Sequence, residues 1–475
     1  MGDILLNLAC KLNNFFENTI LFNKVRYLYI YFFIFCLLIR QIGIFALVPV
    51  FIDSSIFSTF GICGLLIAIW GIKNKYIYFS FKKNYLLLFI FAVFISSIIN
   101  FKYGFFKNLK DIIWLFITFF IIYSSPKSES ENDKIRKFCK IQNLITYVWG
   151  TLAFCSILTV FMQISYISYV KDDWYLRVGI VENRLFGIFN NTNSASIISL
   201  ISLIFSTYQI KFKNVFCTKR WINLSNIIVQ FIYISLSESR GTYMVLMFAS
   251  FLTSLFWFYD KLGRKKKVKN ILASILFSVF VSFFILVSIF LIIKLFKFIS
   301  IFYSIIFGDN AQNLAVSKRV DFINNNDISN LRFRLWLDSW KVFKNNWLFG
   351  VTAGNLVNYA KIHFPQSLIA TRNYSRVHNT WIGFLLFNGI FGGLILFAFF
   401  INKIIDIFTY YSKHSVYKTN SIFNLCILIV LCICLYGTVE SEILFVNSTV
   451  SIVFWISLGF INQFLSNYSN YDIIK

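Results

Sequence analysis

The sequence predicts an all-α, polytopic integral membrane protein, and three observations support this. Of its 475 residues, 58% are hydrophobic and 14% are charged, and the mean hydropathy is +0.70. Such a chain is too apolar and too poor in charge to form the surface of a soluble globular protein. Only three residues are proline, so long apolar stretches run without helix breakers and can satisfy their backbone hydrogen bonds within helices.

Twelve apolar segments approach the roughly 20 residues that a helix needs to cross a hydrocarbon core of about 30 Å. They lie at 27–47, 55–72, 85–100, 112–124, 142–165, 194–210, 221–236, 242–259, 271–293, 379–402, 421–437 and 444–462. The fourth is the shortest of them. We expect residues 1–475 to form a single transmembrane domain built from these segments.

The distribution of Lys and Arg residues predicts the orientation of the spans. With the N-terminus inside, the cytoplasmic segments hold 26 basic residues and the short outer loops hold seven. Because basic residues concentrate on the cytoplasmic side, both termini should be cytoplasmic. The net charge of +25 is then a topology signal. Since the basic residues are not gathered on one soluble face, we expect no nucleic-acid partner.

One predicted outer loop, 294–378, is much longer than the others and carries nine basic residues between Lys318 and Arg376. Long loops within a compact protein are usually functional, so this loop should carry part of an active site. Its polar stretch 308–330 predicts a flexible strap. The apolar residues at helical spacing in 331–348 predict an amphipathic helix near the membrane surface.

Arg240 lies in a polar turn, Ser235 to Gly241, at the outer end of the seventh span. An arginine at the end of a span can simply extend its guanidinium group into the interface. Combined with the arginines of the long loop, Arg240 is instead a candidate for an anion-binding site.

Arg184 begins a second polar stretch, which continues through Gly187, Asn190, Asn191 and Asn193 before the sixth span. A guanidinium group, a tight turn and capping side chains at the start of a helix suit an oxygen-rich ligand such as a phosphate or a sugar. An ordinary loop that leads into a helix is the alternative interpretation.

His378 and Asn379 stand at the start of the tenth span, just after Arg376. The chain has three histidines, of which His414 is cytoplasmic in this topology and His363 lies in the middle of the long loop. His378 is therefore the best candidate for a general base or for a hydrogen-bond donor to a phosphate. A polar residue that merely begins a helix is the alternative.

These motifs occur in the order seen in a known family. They are Gly187 to Asn193, Ser239-Arg240-Gly241, Arg332-Phe-Arg334-Leu-Trp336, Leu348-Phe-Gly350, and His378-Asn379 followed by Gly389 and Gly392. Over roughly 184–393 the chain thus resembles the superfamily of O-antigen ligases and polysaccharide polymerases, and its predicted layout of spans agrees. The sequence leaves both branches, ligase and polymerase, open.

The resemblance implies a GT-C type glycosyltransferase of the bacterial inner membrane that needs no metal or other cofactor. It implies an undecaprenyl-diphosphate-linked oligosaccharide or polysaccharide as the donor, and a lipid A core or a growing glycan as the acceptor. Arginines would hold the diphosphate and a histidine would assist the acceptor hydroxyl. The implied catalytic residues are His378 and Arg240, and the implied substrate-binding residues are Arg184, Arg332, Arg334, Arg376 and Asn379.

The chemistry is plausible without the resemblance, because several guanidinium groups can neutralise a diphosphate leaving group without a metal ion. No Asp-x-Asp motif lies in a predicted outer loop. A polysaccharide or lipid transporter or flippase is the alternative, since transporters also commonly have twelve spans and cytoplasmic termini. Transporters tend to contain inverted repeats and ionisable groups near the midplane of the membrane, and we find neither pattern here.

Overall fold

A computed structural model describes residues 19–76, 84–124, 130–171, 174–211, 219–262, 267–307, 329–413 and 421–471. Within these ranges, every predicted span overlaps a helix. The α-helices in these ranges are α1 (Thr19–Ile39), α2 (Val50–Lys73), α3 (Tyr85–Ile99), α4 (Phe105–Ile117), α5 (Glu131–Phe161), α6 (Thr192–Lys211), α7 (Arg220–Ser237), α8 (Arg240–Leu262), α9 (Lys267–Phe307), α10 (Arg332–Asn345), α11 (Leu356–His363), α12 (Leu368–Thr371), α13 (Thr380–Lys413), α14 (Ser421–Tyr436) and α15 (Thr449–Tyr471). Short 3-10 turns cover Gly43–Leu47 and Phe101–Tyr103, and a π-helical turn, Thr118–Tyr123, continues α4.

By length and composition, eight helices in the described part of the chain could cross a membrane: α1, α2, α5, α6, α8, α9, α13 and α15. Helices α3 and α14 are apolar but shorter. The chain is therefore a largely helical, polytopic membrane protein, as predicted. The number of twelve spans and their orientation remain predictions.

Helix α9 is longer than its predicted span. It runs without interruption from Lys267 to Phe307, so the predicted outer loop does not begin at Lys294 but continues as helix for more than ten further residues. The cause is local, because the sequence 294–307 contains neither glycine nor proline and is rich in apolar residues. The predicted strap 308–330 lies outside the described residues except for its last two positions.

The chain divides into two compact units, and the single transmembrane domain expected from the sequence stays a prediction. The first unit falls within 1–34, 50–137 and 329–475, and the second within 35–49 and 138–328. The first therefore contains most of the N-terminal helices together with α10 to α15. The second contains most of α5, and α6 to α9.

In the first unit, α10 packs against α12 and against α13, and α11 packs against α12. Buried residues of these three loop helices form one apolar cluster with Leu386 and Phe387 of α13. The predicted amphipathic helix is confirmed as α10. It buries Leu335, Val342 and Phe343 on one face and exposes Leu337 and Trp340 on another, as expected for apolar residues at helical spacing. This packing brings the start of α10 and the start of α13 into the same unit.

Helix α13 is broken at Gly389, whose φ of 62° and ψ of −169° are not helical. The N–H groups of Ile390 and Phe391 donate to backbone oxygens of the segment 347–352 over 2.7 and 3.1 Å. A Cβ at Gly389 would lie 2.3 Å from a backbone oxygen of that segment, and one at Gly350 would lie 2.5 Å from the Gly389 nitrogen. Without side chains at these two glycines, the two backbone segments can approach closely. The backbone oxygens of 347–352 then accept the N–H groups that lose their helical partners at the break.

The second unit is a helical bundle with a polar seam in its interior. Helix α6 packs against α7, and α9 packs against both α8 and α7. The Asn226 amide donates to Ser202 and Ser206 over 3.0 and 2.7 Å. A Cβ at Gly150 would lie 2.6 Å from Asn226 Oδ1, so the glycine leaves room for this amide. Hydrogen bonds between polar side chains stabilise contacts of apolar helices in this way.

The prediction of an all-α chain is wrong for residues 165–187. Three antiparallel strands, β1 (Ser165–Lys171), β2 (Trp174–Val181) and β3 (Arg184–Gly187), form a sheet in the order β1-β2-β3. The strands are rich in aromatic and β-branched residues, which favour extended backbone. Glu182 and Asn183 connect β2 to β3 with φ values of 53° and 59°, the conformation of a two-residue hairpin turn.

Candidate active site

Glu440, in the loop between α14 and α15, holds two of the predicted site residues. Arg332 Nη2 donates to its Oε1 over 2.6 Å, and His378 Nδ1 lies 2.7 Å from its Oε2. The Glu440 side chain is 11% exposed, whereas those of Arg332 and His378 are 24% and 36% exposed. One carboxylate thus joins the beginning and the end of the loop helices, which are far apart in sequence.

The backbone around His378 fixes its position. Its φ of 48° is left-handed, an unusual conformation for a residue with a side chain and one that is enriched at functional sites. The Asn379 Oδ1 accepts the N–H groups of Trp381 and Ile382, both over 3.0 Å, and its Nδ2 donates to Thr438 O over 2.9 Å. Both ends of this amide are used to begin α13, and contact of Asn379 with a substrate remains a prediction.

The loop that carries Glu440 is fastened to the start of α13. Thr380 N donates to Gly437 O over 2.7 Å, and Thr380 Oγ1 donates to Glu440 O over 2.9 Å. The same hydroxyl accepts the Glu442 N–H over 3.3 Å. The residues at the start of α13 therefore position both the His378 imidazole and the backbone of Glu440, whose carboxylate binds that imidazole.

One aromatic residue holds the backbone just before His378, and another lies beside its imidazole ring. Trp336 Nε1 of α10 donates to Val377 O over 3.0 Å, and the Tyr374 ring lies 6.2 Å from the His378 ring at 84°. Because an ionised carboxylate only accepts hydrogen bonds, its pairing with Nδ1 leaves Nε2 as the acceptor of the neutral ring. Within the described residues, Nε2 makes no hydrogen bond. It is therefore free to take a proton.

A second glutamate lies two residues further along the loop. Glu442 is 5% exposed and accepts a hydrogen bond from Ser448 Oγ over 2.6 Å. Burial raises the pKa of its carboxyl group, while the charge of Arg376 and the bond from Ser448 act in the opposite direction. Arg376 is an exposed residue, as is Arg334. Both arginines can therefore meet a ligand at the surface of the first unit.

In the second unit, Arg184 is buried and bonded within the protein. It is 7% exposed, its Nε donates to Ser237 O over 2.9 Å, and its Nη2 donates to Asn193 Oδ1 over 2.7 Å. These contacts link β3 to the end of α7 and the start of α6. They support a positioning role for Arg184, and its contact with a substrate remains a prediction.

Arg240 is the first residue of α8 and is exposed. The turn before it contains Glu238, whose left-handed φ of 49° ends α7, and Ser239, whose hydroxyl lies 3.1 Å from that of Thr242. Since Arg184 binds the oxygen of Ser237, it holds the turn that presents Arg240. Arg184 and Arg240 thus belong to one arrangement in the second unit, while Arg332, Arg334, Arg376 and His378 belong to the first.

Glu440 and Glu442 were missed by the sequence analysis, although a signal was present. The chain has 20 acidic residues, and two of them stand one residue apart in a short loop predicted to lie at the outer face. A carboxylate in the same outer region as a candidate histidine is a reasonable partner for it. Which histidine or arginine it would bind depends on contacts between distant parts of the chain.

Residues 226–397 match the family model described as O-antigen ligase. The matched stretch includes Arg240, Arg332 and His378 and ends before Glu440. A comparison with curated proteins finds no match to the chain. The match and the apolar helices together indicate a multi-pass bacterial membrane protein with an activity of the glycosyltransferase type. Over residues 226–397, the chain is therefore similar to the O-antigen ligase family, and this match supports the predicted resemblance to the superfamily of O-antigen ligases and polymerases.

Proposed function

We propose that this protein transfers a glycan from undecaprenyl diphosphate to an acceptor at the outer face of the bacterial inner membrane. The observation that carries the proposal is the chain of contacts from Arg332 through Glu440 to His378. It combines a cation suited to a phosphate with a histidine whose second nitrogen is free. Such a pair fits the transfer of a glycan from a phosphate leaving group to a hydroxyl group.

In the proposed reaction, the bond between the anomeric carbon of the donor glycan and the diphosphate oxygen breaks. A new bond forms between that carbon and the oxygen of an acceptor hydroxyl. His378 Nε2 takes the hydroxyl proton, and the undecaprenyl diphosphate leaves with the electron pair of the broken bond. The Glu440 carboxylate stabilises the imidazolium that forms, as a carboxylate does in other histidine-dependent transfers.

Arginines would hold the diphosphate and neutralise its growing charge. Arg332 is oriented by Glu440, and Arg334 and Arg376 are exposed residues of the same unit. Planar guanidinium groups bind phosphate oxygens in pairs. The proposal therefore needs no metal ion, and Arg240 of the second unit keeps its predicted role in binding the donor.

The acceptor decides between the two branches of the superfamily. A polymerase would add the donor glycan to a growing lipid-linked chain, whereas a ligase would add it to a lipid A core. Both reactions use the same proton transfer and the same leaving group.

The experiment uses the purified full-length chain in lipid nanodiscs, with lipid-linked glycan extracted from the producing strain. We expect release of undecaprenyl diphosphate together with either longer lipid-linked chains or glycan attached to a lipid A core. EDTA should leave this activity unchanged. His378→Ala should abolish most of it, whereas His363→Ala is the matched control. That histidine contacts Tyr103 Oη over 2.8 Å and stacks on Tyr359, so its loss should leave turnover nearly intact.

Two results would reject the proposal. One is passage of the lipid-linked glycan across the bilayer of sealed proteoliposomes that contain the chain, without any new covalent product, which would indicate a transporter or flippase. The other is complete loss of transfer in EDTA with recovery on addition of magnesium or manganese, which would replace the arginine mechanism with a metal-dependent one.

A further inference from the structure

A cavity in the first unit lies beside the loop that carries Glu440. Its free space, including the open mouth, is about 320 Å³. One wall is formed by α4 and its π-helical continuation, and the other by the loop before α15 and the first turn of that helix. The lining residues are Asp111, Trp114, Leu115, Thr118, Ile443 to Asn447, and Ser451. A π-helical turn inside a helix is frequently found at a functional site.

Asp111 is a carboxylate without a partner in the wall of this cavity. Within the described part of the chain it forms no hydrogen bond or ion pair. Burial raises the pKa of its carboxyl group to about 7, against the opposing charge of Lys110. A partly buried and unpaired carboxylate destabilises the folded protein. A ligand with several hydrogen-bond donors would satisfy it.

The other lining groups narrow the chemistry of that ligand. Thr118, Asn447 and Ser451 supply neutral polar groups, while Trp114, Leu115 and the loop residues Ile443 to Phe445 supply apolar wall. The ionised form of this carboxyl group repels phosphate and the neutral form offers no positive charge, so the diphosphate of the donor does not fit here. A mixture of one carboxylate, an amide, hydroxyl groups and apolar surface suits an uncharged ring that carries many hydroxyl groups.

The cavity adjoins the proposed reaction centre. Ile443 in its wall follows Glu440 by three residues, which span at most about 11 Å even when fully extended. Glu442 lies between them and is tied to Ser448 in the same loop. A glycan whose reacting hydroxyl lies at His378 could therefore reach the cavity with the same or the next sugar ring.

We propose that this cavity binds a sugar ring of the acceptor glycan, with the Asp111 carboxylate accepting hydrogen bonds from its hydroxyl groups. The inference rests on the proposed transfer reaction and adds a specificity site to it. Discrimination would come from the hydroxyl pattern of the ring, because a site built to bond a hydroxyl rejects a ring that lacks it.

The test is steady-state kinetics of the purified chain in nanodiscs, with the lipid-linked glycan as donor and the acceptor glycan isolated from the producing strain. We expect Asp111→Asn to raise the KM for the acceptor about 10-fold to 100-fold, the range for lost hydrogen bonds to a charged group. The KM for the donor should not change. Asn447→Ala, in the opposite wall, should raise the same KM more weakly.

Asp133→Asn is the matched control, since Asp133 forms an exposed pair with Arg136 and should leave both KM values unchanged. Direct binding of the isolated acceptor glycan to each variant separates this inference from the proposed function. If the wild-type chain transfers nothing but binds the glycan, and Asp111→Asn does not bind it, the transfer reaction is wrong and the cavity assignment holds. An unchanged acceptor KM and affinity in Asp111→Asn, or a change confined to the donor, would overturn the assignment.

Discussion

Glu440 and His378 are 62 residues apart in sequence, yet Oε2 of the one and Nδ1 of the other lie 2.7 Å apart. The other oxygen of this carboxylate binds Arg332 over 2.6 Å. A histidine oriented by a carboxylate on one nitrogen and free on the other is the arrangement of a general base. The same carboxylate also orients the Arg332 guanidinium group. Glu440 therefore positions both the group proposed to bind the donor and the group proposed to act on the acceptor.

We predict that Glu440→Gln lowers kcat while leaving the KM for the acceptor within about twofold. The amide can still occupy the position between Arg332 and His378, but it lacks the charge that stabilises a protonated imidazole. The loss should lie within the range of about 10² to 10⁴ that general acid–base assistance supplies. His378→Ala should cause a loss of similar size, and the double variant little more, because both changes remove one function. Fully additive losses would show that the two residues act separately.

We predict that Arg332→Lys and Arg240→Lys weaken use of the donor although both keep the positive charge. Lysine lacks the planar fork that binds two phosphate oxygens, so kcat/KM for the donor should fall about 10-fold or more. The affinity of the protein for the isolated acceptor glycan should not change. Arg136→Lys is the control, because Arg136 is 71% exposed and pairs with Asp133 on the surface. Normal donor kinetics in both test variants would remove the arginines from the site.

We predict that Asp111→Asn stabilises the protein at pH 8 but not at pH 4. The pKa of Asp111 is raised from 3.8 to about 7 in the folded chain. Ionised Asp111 therefore destabilises the folded state. This destabilisation is absent below the pKa of Asp111 in the unfolded chain, grows as the pH rises, and is constant above the pKa in the folded chain. Asparagine removes this penalty, which is on the order of 2–4 kcal/mol above pH 7.

The measurement is thermal unfolding of both proteins in detergent at pH 4, 6 and 8. The difference between them should be near zero at pH 4 and largest at pH 8. Identical pH dependence of the two proteins would contradict the assignment of an unpaired carboxylate. A variant that is more stable but binds the acceptor poorly would indicate that Asp111 is retained for function at some expense of stability.

We predict that Gly389→Ala destabilises the first unit by about 2–5 kcal/mol, from backbone strain and overpacking. Its φ is positive, and the added Cβ would lie 2.3 Å from Leu348 O and 2.5 Å from Phe349 N. Gly61→Ala is the control, because a Cβ there meets its nearest atom at 3.9 Å and alanine favours a helix. Both variants should be compared by yield of folded protein and by unfolding temperature. Equal stability would mean that the break in α13 can relax.

Properties that are local in sequence were predictable from the sequence alone. The helical class follows from hydropathy and the near absence of proline, and α10 follows from the spacing of Leu335, Val342 and Phe343. The family resemblance likewise follows from short motifs in a fixed order, and the match over residues 226–397 confirms it. These features are predictable because the period of a helix and the composition of a span depend on residues that are close together in the sequence.

Contacts between distant residues were decided only by the tertiary structure. The partner of His378 lies in another loop, Arg184 donates hydrogen bonds to Ser237 O and Asn193, and Asn379 caps a helix. Each of these outcomes depends on which polar groups are buried together, because a buried donor or acceptor must find a partner wherever the fold provides one. The periodicity of the sequence does not predict which polar groups become partners. The sequence therefore determined the helices and the kinds of residue available for chemistry, while the packing determined which of them meet.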